Sequence, residues 1–352
     1  MHRTGTSPAR EDDLLDTSTV GDHLARRGLV ADPADVRASV LGGGVSNIVL
    51  SCHVPKGRLL VKQSLGRLRV ADTWLAPRTR IVSEARALEI TRTLTPTAVP
   101  AVIDLDEIRC VLVTEHAPAG WRDWKTNLLS GTMDPRVAAH VGTACGHWHT
   151  ATRAGGPAEK AAHALGHDAF AALRLDPYHR TVAERRPEWA RLLAPYTDEL
   201  TKRHLCLTHG DLSPKNVLTG GGTWIIDHEV AHYGDPNFDL AFLLHHLLLK
   251  SVHLPGRADA ARACAEAFWA AYTDRAGPAD GRRVGGHTGA LLLARTDGRS
   301  PAEYLTEAGR TTARRLGVSL LEDPPPGPGG LWARHEQLAD RARRRDSEGK
   351  TS

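Results

Sequence analysis

No stretch of this sequence is long and apolar enough to anchor it in a membrane. The most apolar run, Leu240–Leu249, is interrupted by His245 and His246 and falls well short of the roughly 20 residues a bilayer requires. The first twenty residues are polar and mixed in charge, without the apolar centre of a secretory leader. Cysteine is sparse and dispersed: Cys52, Cys110, Cys145, Cys206 and Cys264 form no CxxC pair. An odd, scattered set excludes a disulfide framework and a zinc ribbon and suits reduced thiols. There is no internal repeat and no low-complexity run. The expectation is a cytoplasmic globular protein without a membrane partner.

Charge of one sign is also missing as a block. Lys and Arg number 45 against 41 Asp and Glu, and the arginines are spread over the chain. The one dense group, Arg341, Arg343, Arg344 and Arg345, reads as a solvated helical tail, so no nucleic-acid partner is expected. With 352 residues, 41% hydrophobic, the chain can bury a full core and divide into two lobes.

Residues 1–35 read as a loose lead-in with one short helical patch. Strands follow at Val36–Val40, Asn47–Val54 and Leu59–Gln63, the first two separated by Leu41-Gly42-Gly43-Gly44. Apolar spacing over Ile81–Leu94 predicts an amphipathic helix. Two more strands are expected near Ala101–Leu105 and Arg109–Glu115. His116–Gly120 reads as a hinge, after which helices prevail, at Trp124–Leu129, Pro135–Thr150, Ala183–His204, Phe238–His253, Ala258–Arg275, Gly289–Arg295 and Pro301–Arg315. A short hairpin, Val217–Leu218 with Thr223–Ile226, turns through Gly220-Gly221-Gly222. The predicted divisions are a 36–117 nucleotide-binding lobe, a 118–346 helical lobe and a disordered 347–352 tail.

The chemistry concentrates in Leu207-Thr208-His209-Gly210-Asp211-Leu212-Ser213-Pro214-Lys215-Asn216 and in Ile225-Ile226-Asp227-His228-Glu229. An Asp, an Asn five residues on, and a second Asp after a hairpin form a kinase catalytic constellation. The loop sets Asp211 and Asn216 on one side of a cleft and the hairpin returns Asp227 beside them. Asn216 and Asp227 can then hold magnesium on phosphate oxygens while Asp211 faces an acceptor hydroxyl. Upstream, the glycine-rich Gly42, Gly43 and Gly44 with Ser46 and Asn47 lie between two strands, where backbone N–H groups can cradle phosphates. Lys62 sits inside an apolar strand and needs a counter-charge, either nucleotide phosphates or a carboxylate. His209 reads as a brace for the loop. His147 and His149, two apart on a helix, point in different directions and do not read as a metal pair.

These motifs resemble the aminoglycoside phosphotransferase-like superfamily of small-molecule kinases. The resemblance spans roughly residues 36–320 and implies a bilobal, protein-kinase-like α+β fold: a small five-stranded antiparallel N-lobe with one helix, and a larger, mostly helical C-lobe. It implies ATP and Mg²⁺ as cofactors and a small-molecule alcohol as acceptor. It pairs Glu84 with Lys62, and makes Glu229 of Asp227-His228-Glu229 a further magnesium contact, direct or through water. The absence of DFG and APE sequences argues against a protein substrate.

Val230–Leu243, Trp124–Leu129 and the pair Arg314-Arg315 are similar to methylthioribose kinases, which implies that the two arginines help bind a sugar. An aminoglycoside acceptor would instead call on carboxylates, for which Asp168, Asp176, Asp235 and Asp239 are available. Asp239 has a second reading, as a cap on the catalytic-loop backbone. Outside the enzyme class, the rival is a catalytically inactive nucleotide- or metabolite-binding module. Magnesium-dependent ATP turnover discriminates the two.

Overall fold

The computed structural model describes residues 14–42, 44–70 and 73–348. Five strands, β1 (Arg37–Val40), β2 (Asn47–Val54), β3 (Gly57–Ser64), β4 (Val102–Asp106) and β5 (Val111–Glu115), form one antiparallel sheet in the order β1-β2-β3-β5-β4. Strand alternation gives the sheet two buried faces. Ile48, Leu50, Cys52, Val61, Val111 and Val113 face Leu15, Val20 and Leu24 of the segment around helix α1 (Val20–Arg26). Part of the expected loose lead-in is therefore ordered cover for the sheet, signalled by apolar residues four apart at Val20 and Leu24. On the other face Leu112 packs with Ile81, Ala85 and Leu88 of helix α2 (Arg80–Leu94). Lys62 pairs in register with Val49 and Leu112, so it projects to the α2 side.

After the turn at Gly120 (φ 81°), the short strand β6 (Arg122–Asp123) and α3 (Trp124–Leu129) lead into α4 (Pro135–Thr152). A run of short pieces follows: α5 (Glu159–Ala162), α6 (Asp168–Phe170), a π-helix (Ala171–Arg180), α7 (Thr181–Arg185) and then α8 (Ala190–Lys202). The single helix expected over Ala183–His204 is broken at Arg186-Pro187. A proline disfavours helical geometry in the residue before it, and a 3₁₀ turn (Pro187–Trp189) fills the gap.

Strand β7 (Cys206–Thr208), the hairpin β8 (Val217–Thr219) and β9 (Thr223–Ile225), and β10 (His232–Gly234) frame the catalytic loop; β7 pairs with β10 and β8 with β6. Helices α9 (Pro236–His253), α10 (Ala258–Ala276), α11 (Gly281–Asp297), α12 (Glu307–Glu322) and α13 (Pro328–Glu348) complete the lobe. The apolar run Leu240–Leu249 is the buried middle of α9, at the centre of the main core. α11 starts eight residues before its expected first turn because its glycines, poor helix formers in isolation, serve close packing. α12 is likewise shifted towards the C-terminus of the expected Pro301–Arg315. α13 carries the helix to Glu348, past residue 347 where a tail was expected. No described helix is long and apolar enough to cross a membrane.

Candidate active site

Gly210 has φ 74°, and a Cβ there would lie 2.6 Å from the Val230 carbonyl oxygen, so only glycine fits between His209 and Asp211. The loop is held from beneath. Asp239, in the first turn of α9, accepts from the backbone N–H of His209 (2.7 Å) and of Gly210 (2.9 Å). His149 Nε2 donates to the same carboxylate at 3.2 Å, while its Nδ1 meets the Tyr272 hydroxyl at 3.0 Å. His209 accepts from the Asp211 N–H through Nδ1 (3.1 Å) and donates to the Ile226 carbonyl through Nε2 (3.1 Å). That single tautomer satisfies both bonds and fits the bracing role read from the sequence. Burial would raise the Asp239 pKa, but the hydrogen bond and charge of His149 hold it below the usual carboxylate range.

Asp211 is buried and takes part in a dense network. Arg174 Nη2 lies 2.5 Å from its Oδ2, Lys215 Nζ lies 3.2 Å away, and Asn216 Nδ2 donates to both its side chain (2.9 Å) and its carbonyl (3.0 Å). Burial opposes ionisation, yet Arg174 and Lys215 outweigh it and lower the Asp211 pKa. The π-helix sets Arg174 there, its guanidinium 5.7 Å from the Tyr178 ring centroid and 5.8 Å from that of Phe242.

Across the cleft, Lys62 Nζ lies 2.8 Å from Glu84 Oε2 and also ion-pairs with Asp227. Asp227 has φ 66°, a left-handed conformation that Asp tolerates better than most residues. Burial would lower the Lys62 pKa, but the charges of Asp227 and Glu84 raise it above the ordinary lysine value. Burial pushes Glu84 up, with Lys62 pulling the other way. The remaining carboxylate, Glu229, accepts from Ser46 Oγ (2.9 Å), Asn47 Nδ2 (2.8 Å) and Arg80 Nε (3.0 Å). Arg80 also donates to the carbonyls of Leu65 and Pro77, both at 2.9 Å, and to that of Ser46.

Each residue expected in the site, Gly43 apart, can thus be placed. Lys62, Glu84 and Asp227 meet directly, and Asp211 meets Asn216. Ser46 and Asn47 turn to Glu229 and Arg80, so in this arrangement both Glu229 oxygens are taken by protein donors. Gly42 and Gly44 are exposed, and a Cβ at Gly42 would meet nothing within 4 Å; Gly43 lies outside the described residues. Asn216 commits its amide nitrogen to Asp211, which leaves its side-chain oxygen as the atom that could take a cation. Together with the Asp227 carboxylate it makes a hard-oxygen donor set that fits Mg²⁺.

Sequence reading missed Arg80 and Arg174. Arg80 was signalled by its i,i+4 relation to Glu84, which puts both on one helix face. Arg174 left no sequence signal, because a π-helix breaks the usual spacing.

Beside Asp211 opens a cavity of about 400 Å³. None of the carboxylates considered for a polycationic acceptor lines it. Asp235 caps α9 and pairs with Arg203 at 2.5 Å, Asp176 pairs with Arg180, and Asp168 opens α6. Arg314 and Arg315, for which a sugar contact is implied, lie outside this lining as well. Arg314 is held by Asp297 at 2.8 Å, and Arg315 is exposed.

A five-stranded lobe bearing an ion-paired lysine, set against a helical lobe that carries Asp211, Asn216 and Asp227, is the architecture of the protein-kinase-like folds. The comparisons with known proteins narrow this class. The model of the phosphotransferase enzyme family (APH) matches residues 37–287, and the chain belongs to that family.

Methylthioribose kinase 2 of Oryza sativa subsp. japonica is 26% identical over 252 residues; the match covers 63% of this chain and 58% of the rice protein. The chain thus spans less than two thirds of that relative. Among solved structures, the macrolide 2'-phosphotransferase of Brachybacterium faecium superposes with a TM-score of 0.51 at 18% identity, covering 88% of this chain and 99% of that one. An ethanolamine kinase of Plasmodium vivax gives 0.53 at 12% identity, covering 88% and 98%. These two likenesses show the fold.

Proposed function

We propose that this chain is an ATP-dependent kinase that transfers the γ-phosphoryl group to an alcohol on a small molecule. The observation that supports the reading is the position of Lys62, shared between Glu84 and Asp227 in a cleft that also holds Asp211 and Asn216. In this reading residues 36–117 bind the nucleotide and 118–346 present the acceptor. Gly42, Gly43, Gly44, Ser46 and Asn47 cover the phosphates, Lys62 binds them, and Glu84 orients Lys62. Asn216 and Asp227 hold magnesium, with Glu229 as the further carboxylate once Ser46 and Asn47 turn to the nucleotide. Bound magnesium supplies charge neutralisation on the phosphate oxygens.

Asp211, kept ionised by Arg174 and Lys215, accepts the hydrogen bond of the acceptor hydroxyl and fixes its oxygen in line with the phosphorus. It takes the proton as the O–P bond forms and the bond to the ADP oxygen breaks. Positioning and charge neutralisation carry most of the rate in such a transfer. The same family and the rice relative, named for methylthioribose, support a small-molecule acceptor.

The test is acceptor-dependent ADP release over sugars, aminoglycosides and amino alcohols, with magnesium and with EDTA. Release that requires both magnesium and an acceptor supports the reading. Nucleotide binding with no release on any acceptor puts the inactive binding module in its place.

A further inference from the structure

The cavity beside Asp211 has an unusual charge pattern. Its Asp211 end is partnered, since both Arg174 and Lys215 pair with that carboxylate. Its other end is not. Lys250, Arg295, Arg299 and Lys125 all line the cavity, and among the described residues none of them has an ion-pair partner. Glu303 and Glu229 are the other carboxylates of the lining. Glu303 is exposed at the rim, and Glu229 is engaged by Arg80.

Lys250 is the extreme case. It sits inside α9 with 0% exposure. Its ammonium donates to the Tyr304 hydroxyl at 2.8 Å and lies 4.1 Å from that ring's centroid. A phenol and a π-face are weak compensation for a buried charge. Burial, with Arg295 and Lys125 nearby, pushes the Lys250 pKa down to about 7. Arg295 gives one nitrogen to Ser300 Oγ at 2.7 Å, while its Nε is buried without a hydrogen-bond partner. One buried and one half-buried cationic side chain, Lys250 and Arg295, thus line one cavity without a carboxylate partner. The charges of Lys250, Arg295 and Lys215 all act on His246 of the same lining, so the two ends of the cavity are electrostatically in reach of each other.

We infer that the far end of this cavity, built on Lys250 and Arg295, is an anion subsite, and that the acceptor alcohol carries a phosphate or carboxylate group that docks there. The inference rests on the kinase reading for the word acceptor, and on the cavity alone for the word anion. A bound anion supplies the missing counter-charge and restores Lys250 to its full charge. With the anionic group anchored there, a hydroxyl of the same molecule is held at the Asp211 end. A polyamine acceptor would have to enter against four uncompensated cations, so the same pattern selects against it.

The experiment compares wild type, Lys250→Met and Arg295→Gln as full chains. Thermal melting is followed with inorganic phosphate or acetate against chloride at constant ionic strength. Either anion should raise the wild-type Tm, and both variants should lose that shift. Lys250→Met should also melt higher than wild type without anion, because it removes an unpaired buried charge. An anion shift absent from wild type, or kept in both variants, overturns the subsite.

In parallel, ADP release is measured on six-carbon polyols matched but for charge: glucose 6-phosphate, gluconate, glucose and glucosamine. Preference for the phosphate or the carboxylate, tenfold or more over glucose and lost in the variants, supports the inference and tells the two anions apart. Turnover without anion preference overturns it and leaves the kinase standing. Anion binding without turnover on any alcohol does the reverse.

Discussion

Asp239 lies beneath the catalytic loop, and its two backbone hydrogen bonds set where Asp211 can be. Removing it takes the carboxylate partner from the buried N–H groups of His209 and Gly210 and from His149 Nε2. Asp239→Ala is therefore expected to destabilise the fold by about 3–5 kcal/mol, measured as a drop in the urea midpoint. The sequence showed Asp239 as one of two readings, a cap or an acceptor contact, and the hydrogen bonds decide for the cap. The meeting of Lys62 with Glu84 and Asp227, and of Asp211 with Asn216, was legible: the two aspartates and the asparagine from a spaced motif, Lys62 from its place in an apolar strand, and Glu84 from the family resemblance. Arg174 was not. Its place depends on ten residues wound as a π-helix and on a partner, Asp211, that is 37 positions along the chain.

At the scale of elements, the five strands and α2 were readable because alternation and helical spacing were both present in short, well-bounded segments. The C-lobe helices were harder where glycine entered them. Glycine lowers helix propensity in the sequence, yet in the fold it brings helices into backbone contact. Gly142 of α4 shows this: a Cβ there would lie 2.3 Å from the Phe268 carbonyl oxygen of α10. Because the obstacle is backbone, the helices must part. Gly142→Ala is expected to cost about 1–3 kcal/mol, despite alanine's better helix propensity, and thermal melting will show its sign. The opposite sign would mean that α4 and α10 can separate at little cost. The break at Pro187 and the overshoot of α13 past residue 347 are smaller boundary effects of the same kind, set by one residue or by packing.

At the scale of the whole molecule, the two lobes are tied by charge across the cleft, Lys62 to Asp227 and Arg80 to Glu229. The core beneath carries many neutral histidines. Burial pushes His179 and His232 down to about 3 and puts His228 and His245 well below the ordinary value. All four stay neutral in the fold, whereas the unfolded chain protonates them near pH 6.5. The unfolded state then binds more protons, so stability is full above about pH 6.5 and declines as the pH falls towards the folded values. His179 and His232 each contribute about 1 kcal/mol of loss between pH 6.5 and 5.5, about 2 kcal/mol together, and His228 and His245 act in the same direction. A Tm that falls steeply over that interval is the expected result; a flat profile would mean these rings are protonated in place.

The account turns on Asp211 handling the acceptor while other groups hold the nucleotide. The most direct measurement is Mg–AMP-PNP binding beside phosphoryl transfer for Asp211→Asn and wild type. The account predicts nucleotide affinity within a few-fold of wild type and transfer reduced by roughly a thousandfold or more, about 4 kcal/mol of lost transition-state stabilisation. Transfer that survives the substitution, or that falls only in step with nucleotide binding, would contradict it.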